Sequence, residues 1–159
     1  MFGVLVEDDE YKAEQIISFL NSKDITIALE RAFVPGIKKI ISEDMDFILL
    51  DMSIPTYESD FENPTSRNRK FGGRDILCEM KRIGKNVKTI VVTQYSVFGD
   101  DEITLDEMND ELMQSFPDIY KGLVFYNASA LDWQERLYRM IMELSLIHIS
   151  EPTRRRGIS

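Results

Sequence analysis

Positive charge, cysteine, histidine and long apolar runs are all scarce in this chain, and each scarcity removes a class of function. Nineteen lysines and arginines stand against 28 acids, a net charge of −9, which argues against non-specific binding to nucleic acid or to an anionic membrane. The single cysteine, Cys78, permits no intrachain disulfide and fits a reducing cytoplasm. No apolar stretch approaches the length of a transmembrane helix, and the N-terminus lacks the basic region of a signal peptide. A cytoplasmic protein with no membrane partner and no direct nucleic-acid partner is expected.

The last residues stand apart from the rest. "LSLIHISEPTR", beginning at Leu144, resembles the translation of a sequencing adapter. Residues 1–143 are therefore expected to form the domain, and residues 144–159 a non-native read-through tail. The only histidine, His148, falls in that tail. Residues 1–143 then hold no histidine for a nucleophilic triad, a general base or a metal ligand.

What is present is an alternation of strands and helices. "FGVLV" (2–6) reads as a short apolar strand running into "EDDE". Ala13, Ile16, Ile17 and Leu20 then recur at helical spacing. "ITIALERAF" (25–33) is the next strand candidate, "VPGIKKIISE" (34–43) a short helix, and "FILL" (47–50) a strand buried on both faces. Ile76, Leu77, Met80 and Ile83 line a helix after Gly72-Gly73, "VKTIVVT" (87–93) is a fourth strand, "GLVFYN" (122–127) a fifth, and residues 131–144 a last helix. This pattern implies right-handed βαβ units. The expected fold is α/β: a flavodoxin-like, doubly wound, five-stranded parallel sheet in the order 2-1-3-4-5. Two long polar connections interrupt it, residues 52–73 and the acidic stretch 94–121, where Leu105, Met108, Leu112 and Phe116 have the spacing of a short amphipathic helix.

In an open parallel sheet, functional groups gather at the carboxyl ends of the strands. Asp8 and Asp9 follow the first strand, and Asp51 ends the third. In the expected order those strands are neighbours, about 4.8 Å apart. Three carboxylates that close must take up protons or share a cation. Mg2+ is the natural choice, since it prefers oxygen ligands and keeps waters that a phosphate can displace. Asp51, held beside such a metal, is placed to attack a phosphoryl group and form an acyl phosphate. Thr93, at the end of the fourth strand, offers a hydroxyl to the phosphoryl oxygens. Singly, each residue has a plainer explanation: a solvated helix N-terminus, a turn cap, β-propensity. Their joint placement on adjacent strands is what points to a site.

"VLVEDDE", "FILLDMSIP", "GGRDILCEMKR" and "IVVTQ" stand in the order found in response-regulator receiver domains, which this chain resembles from residue 3 to about residue 143. The resemblance implies that Asp51 is the phosphoacceptor and Thr93 the switch hydroxyl. It also implies that Asp8, Asp9, Asp51 and the backbone carbonyl of Ser53 bind Mg2+, and that Pro55 stiffens the loop behind the acceptor. The phosphodonor it implies is a histidine kinase or another phosphodonor, and the output is an unidentified downstream protein partner.

One departure from the family pattern is conspicuous. Receiver domains end the fifth strand with a lysine followed by proline, and here Tyr126 or Asn127 stands in that place. Lys121 lies at the wrong end of the strand; Arg67, Arg69 or Lys70 in the long loop could fold over the site, although such a charge run is more often simply solvated. The principal reading is a phosphorylatable receiver; the alternative is a phosphorylation-independent pseudo-receiver acting as a protein-interaction module. A Mg2+-dependent phosphatase would need a second acid two residues after the nucleophile, where Ser53 stands.

Overall fold

The structure is a computed structural model that describes residues 1–57, 72–98 and 102–149. Its elements run β1 (Phe2–Val6), α1 (Glu10–Asn21), β2 (Thr26–Glu30), α2 (Phe33–Ser42), β3 (Phe47–Leu50), α3 (Gly72–Ile83) and β4 (Thr89–Thr93). A two-stranded antiparallel pair follows, β5 (Val97–Phe98) and β6 (Ile103–Thr104), then α4 (Leu105–Ser115), β7 (Tyr120–Phe125) and α5 (Asp132–Ile149). The main sheet is parallel throughout, in the order β2-β1-β3-β4-β7. With β7 as its fifth strand, this is the expected 2-1-3-4-5 arrangement.

Period-two alternation divides the strands between two cores. Val4, Val6, Ile48, Leu50 and Val91 face one side, where Ile40 of α2, Ile76, Leu77 and Met80 of α3, and Met108 and Leu112 of α4 cover them. Leu5, Phe47, Leu49, Ile90, Val92 and Val124 face the other, under Ala13, Ile16 and Leu20 of α1 and Trp133, Leu137 and Ile141 of α5. All four residues of β3 have no exposed surface, as a central strand covered on both faces requires.

Two expectations are corrected. The acidic stretch 94–121 is not wholly an addition to the fold, because it contains α4, the crossover helix between the fourth and fifth strands of the sheet. Thr104 and Glu107 form a capping box at its start, Asp106 and Glu107 sit in its first turn where the helix dipole favours acids, and Met108 and Leu112 are buried. The last helix does not stop at residue 144 but continues to Ile149, with Leu144 packed against the core. Arg67, Arg69, Lys70 and residues 150–159 of the tail lie outside the described residues.

Candidate metal and phosphoacceptor site

The register of the sheet decides which acids meet. Val6 of β1 pairs with Leu50 of β3, so the next residue on each strand, Glu7 and Asp51, lands side by side at the carboxyl edge. Both continue the rows that face α1 and α5, after Leu5 and Leu49 respectively. The acids that converge are Glu7, Asp8 and Asp51, with one oxygen from each lying within 4.8 Å of the others. Asp9, expected in this cluster, is drawn away to cap α1: its Oδ1 accepts from the Lys12 backbone N–H at 3.0 Å. Asp8 is held on the loop, where its carbonyl accepts from Arg31 Nη2 at 3.2 Å.

A fourth group completes the cluster, and the sequence reading passed over it. Lys12 stands four residues before Ile16 and eight before Leu20, on the buried side of α1 in its first turn. Its side chain is 1% exposed, and its ammonium reaches the centre of the site. Nζ lies 2.6 Å from Glu7 Oε1 and 3.5 Å from Asp51 Oδ1, and it donates to the Val92 carbonyl at 2.8 Å. It also lies 5.9 Å from the centre of the Tyr126 ring. Lys12 thus touches the ends of β1, β3 and β4 and faces the residue that follows β7. A cation interrupting an apolar helical stripe was the available signal.

The electrostatics follow from three carboxylates and one ammonium in a nearly dry place. Burial raises the Glu7 carboxyl to about 8, with Lys12 pulling down and Asp51 adding to the rise. Burial also raises Asp51, again against the pull of Lys12. Burial alone would depress the Lys12 ammonium, but Asp51 and Glu7 outweigh it and hold the group above its ordinary range. Lys12 therefore stays charged, and it cannot compensate all three acids. Two negative charges remain when all are ionised, and a single divalent cation cancels them. Asp51 Oδ1 is buried and accepts no hydrogen bond among the described residues, while Glu7 Oε1 meets the Lys12 ammonium, so a metal would satisfy an Asp51 atom that the protein does not. An all-oxygen donor set of this kind suits Mg2+.

The other expected residues surround this centre. Thr93 ends β4 fully buried, and its Oγ1 accepts from the Tyr95 N–H at 3.2 Å. Tyr126 is 3% exposed, with its ring 5.1 Å from that of Trp133 and its hydroxyl unpartnered among the described residues. Asn127 is exposed and turns back on itself, accepting from the N–H and hydroxyl of Ser129. Lys121 reaches the Pro117 carbonyl, at the opposite end of β7. Ser53 is half-buried two residues past Asp51. The Pro55 and Thr56 carbonyls accept from the Phe33 and Val34 N–H groups, so the loop that follows Asp51 also caps α2, whose own cap residue Ala32 has no side chain for the task.

Gly73 packs beneath Asp51. Its N–H donates to the Met52 carbonyl at 3.0 Å, and a Cβ at this position would collide with the Asp51 carbonyl oxygen and lie 3.1 Å from Met52 Cα. Those are backbone atoms with no flexible end to yield. Alanine normally gains about 1 kcal/mol over glycine inside a helix. Gly73→Ala is expected to reverse that sign and cost about 1–3 kcal/mol through overpacking, read as a lowered denaturant midpoint with an unchanged slope.

A doubly wound parallel sheet with three acids at its carboxyl edge, one of them ending β3, is the architecture of a response-regulator receiver domain. The chain belongs to the response-regulator family. It is 32% identical over 150 residues to the Detocs response regulatory protein DtcB of Enterobacter cloacae (strain JD6301), covering 89% of this chain and 99% of that protein. In fold it is similar to a CheY-like response regulator receiver domain protein from Methanospirillum hungatei JF-1, with a TM-score of 0.61 and 15% identity over 94% of this chain and 97% of that one. It is likewise similar to the response regulator TrrA of Thermotoga maritima in complex with Mg2+ and BeF, with a TM-score of 0.59 and 16% identity over 87% and 97% of the two chains. No model of a known protein family matches the chain.

Proposed function

We propose that this protein is a cytoplasmic receiver that accepts a phosphoryl group on Asp51 in a Mg2+-dependent reaction and thereby switches a protein partner. One observation carries the reading: the buried carboxylate that ends β3 stands within a three-acid group with Glu7 and Asp8 and has an oxygen that accepts no hydrogen bond among the described residues. Glu7, Asp8 and Asp51 would hold the cation, with the Ser53 carbonyl as a further ligand. A bound Mg2+ supplies charge neutralisation at the transferring phosphoryl group. The chain's own residues orient the nucleophile. The Asp51 N–H donates to the Val6 carbonyl at 3.1 Å, and Gly73 closes on the Asp51 carbonyl from behind. In the transfer, an Asp51 carboxylate oxygen forms a bond to phosphorus while the donor's bond to phosphorus breaks, and the leaving group departs with that electron pair. The donor is a histidine kinase or another phosphodonor. Among the described residues no helix is long and apolar enough to cross a membrane.

The pseudo-receiver reading draws on Tyr126, which fills the place of the family's lysine and packs on Trp133. One experiment separates the two. Incubation with acetyl phosphate and Mg2+, followed by intact mass measurement, is expected to show one added phosphoryl group that chelation of the metal prevents. An unchanged mass with several small donors would leave the protein as a binding module.

A further inference from the structure

The family's lysine is missing from the end of the last strand of the sheet, yet the cluster is not short of a cation. We propose that Lys12, delivered from α1 rather than from β7, is the residue that binds the phosphoryl oxygens on Asp51 and carries the phosphorylation signal toward Thr93. The proposal rests on the phosphoacceptor reading above and adds the residue that reading lacks.

The geometry supports it in three ways. First, Lys12 is placed at the acceptor: its ammonium lies 3.5 Å from Asp51 Oδ1, beyond ordinary hydrogen-bond length, so this proton faces the carboxylate without being committed to it. The other two protons serve the Val92 carbonyl and Glu7. A phosphoryl group on Asp51 would present oxygens to the uncommitted one. Second, Tyr126 occupies the strand-end position with an uncharged ring, and Lys12 Nζ sits 5.9 Å from its centre. The aromatic ring faces the ammonium across the cluster and brings no charge of its own. Third, Lys12 is already bonded to the carbonyl of Val92, the residue before Thr93. Movement of the ammonium toward a phosphoryl group would be felt at the switch position through one peptide unit. That is a contact made differently in the two states, which a population shift requires.

The plainer explanation is that Lys12 only neutralises buried acids, and the tests are chosen to divide the two. In wild type bound to Mg2+ and beryllofluoride, a fluorine–proton Overhauser contact is expected between the bound fluoride and the Lys12 ε-methylene or ammonium protons. An Asp51-dependent beryllofluoride complex lacking that contact would overturn the proposal while leaving Asp51 as acceptor. If wild type binds no beryllofluoride, the phosphoacceptor reading itself fails, and this inference with it. Lys12→Met is expected to keep or tighten binding of Mg2+ alone, because a competing cation is gone. It should weaken beryllofluoride binding by at least about tenfold, equivalent to about 1.4 kcal/mol, and remove the amide shift at Thr93. Moving the lysine to the family's position, Lys12→Met with Tyr126→Lys, should restore a large part of the beryllofluoride affinity. Equal beryllofluoride affinity in wild type and Lys12→Met would sink the assignment. Should Lys12→Met fail to fold, the fluorine–proton measurement on wild type decides.

Discussion

Asp51→Asn is expected to abolish phosphoryl incorporation altogether, since it removes the carboxylate that follows β3, whose N–H is held by the Val6 carbonyl and whose own carbonyl abuts Gly73. The stability change should run the other way. Asp51 is 3% exposed, and burial raises its pKa, so its charge is costly in the metal-free protein. The neutral amide removes that cost and leaves Lys12 paired with Glu7 at 2.6 Å. The variant should therefore melt at or above the wild-type temperature without metal, while losing every response to acetyl phosphate. A melting temperature far below wild type would mean that the ionised Asp51 is a structural half of the Lys12 pair and not a poised acceptor.

The second large effect separates Glu7 from Asp9. Mg2+ at 100 times its dissociation constant stabilises by about 2.7 kcal/mol, or about 5–10 °C for a domain of this size. Glu7→Gln should weaken Mg2+ binding at least about tenfold, the loss seen even for outer-shell partners of a metal. Asp9→Asn should leave Mg2+ binding intact, and because asparagine caps a helix as well as aspartate does, it should hardly change stability. The pH dependence of the metal-free protein follows from the same residue. The folded Glu7 carboxyl is raised to about 8 from its ordinary 4.5. Between these values the folded state holds more protons than the unfolded state, so stability is fully present below 4.5 and is lost as pH rises through about 8. Glu7→Gln should flatten that slope, and saturating Mg2+ should reduce it in wild type. A wild-type curve rising with pH over this window would contradict the assignment of Glu7 to the buried cluster.

Much of the fold was legible in the sequence because its signals were local. Phe47–Leu50 is a continuous apolar run and became the doubly covered central strand. Trp133, Leu137 and Ile141 recur at helical spacing and became the buried face of α5. The Gly72-Gly73 pair marked the start of α3, although only the structure shows that Gly73 is there because the Asp51 carbonyl leaves no room for a Cβ. The acidic stretch after β4 looked like an insertion because of its run of acids, yet Met108 and Leu112, with Leu105 beside them, seat α4 on the core.

An acid cluster at this edge of the sheet was legible, but one of its members differs from the expected set, for reasons of register and direction. Which two of Glu7, Asp8 and Asp9 join Asp51 depends on the Val6–Leu50 pairing, a long-range fact that no local pattern carries. The motif resemblance favoured the two aspartates; the pleat turns Glu7 inward, and the start of α1 uses Asp9 as its cap. Lys12 was passed over because a lysine is usually solvated, and only the position of α1 against the sheet shows that this one ends beside Asp51. The cations near β7 in sequence and in the long loop are those a local reading offers, while the cation in place comes from the opposite end of the chain.

The central claim is that Asp51, Mg2+ and Lys12 form one phosphoryl site, and a crystal structure of the protein with Mg2+ and beryllofluoride tests it most directly. The account predicts a tetrahedral beryllofluoride on an Asp51 carboxylate oxygen, a metal ion in contact with Glu7, Asp8 and Asp51, and the Lys12 ammonium on a fluoride. A metal bound away from these acids, or no adduct on Asp51 at saturating beryllofluoride, would contradict it.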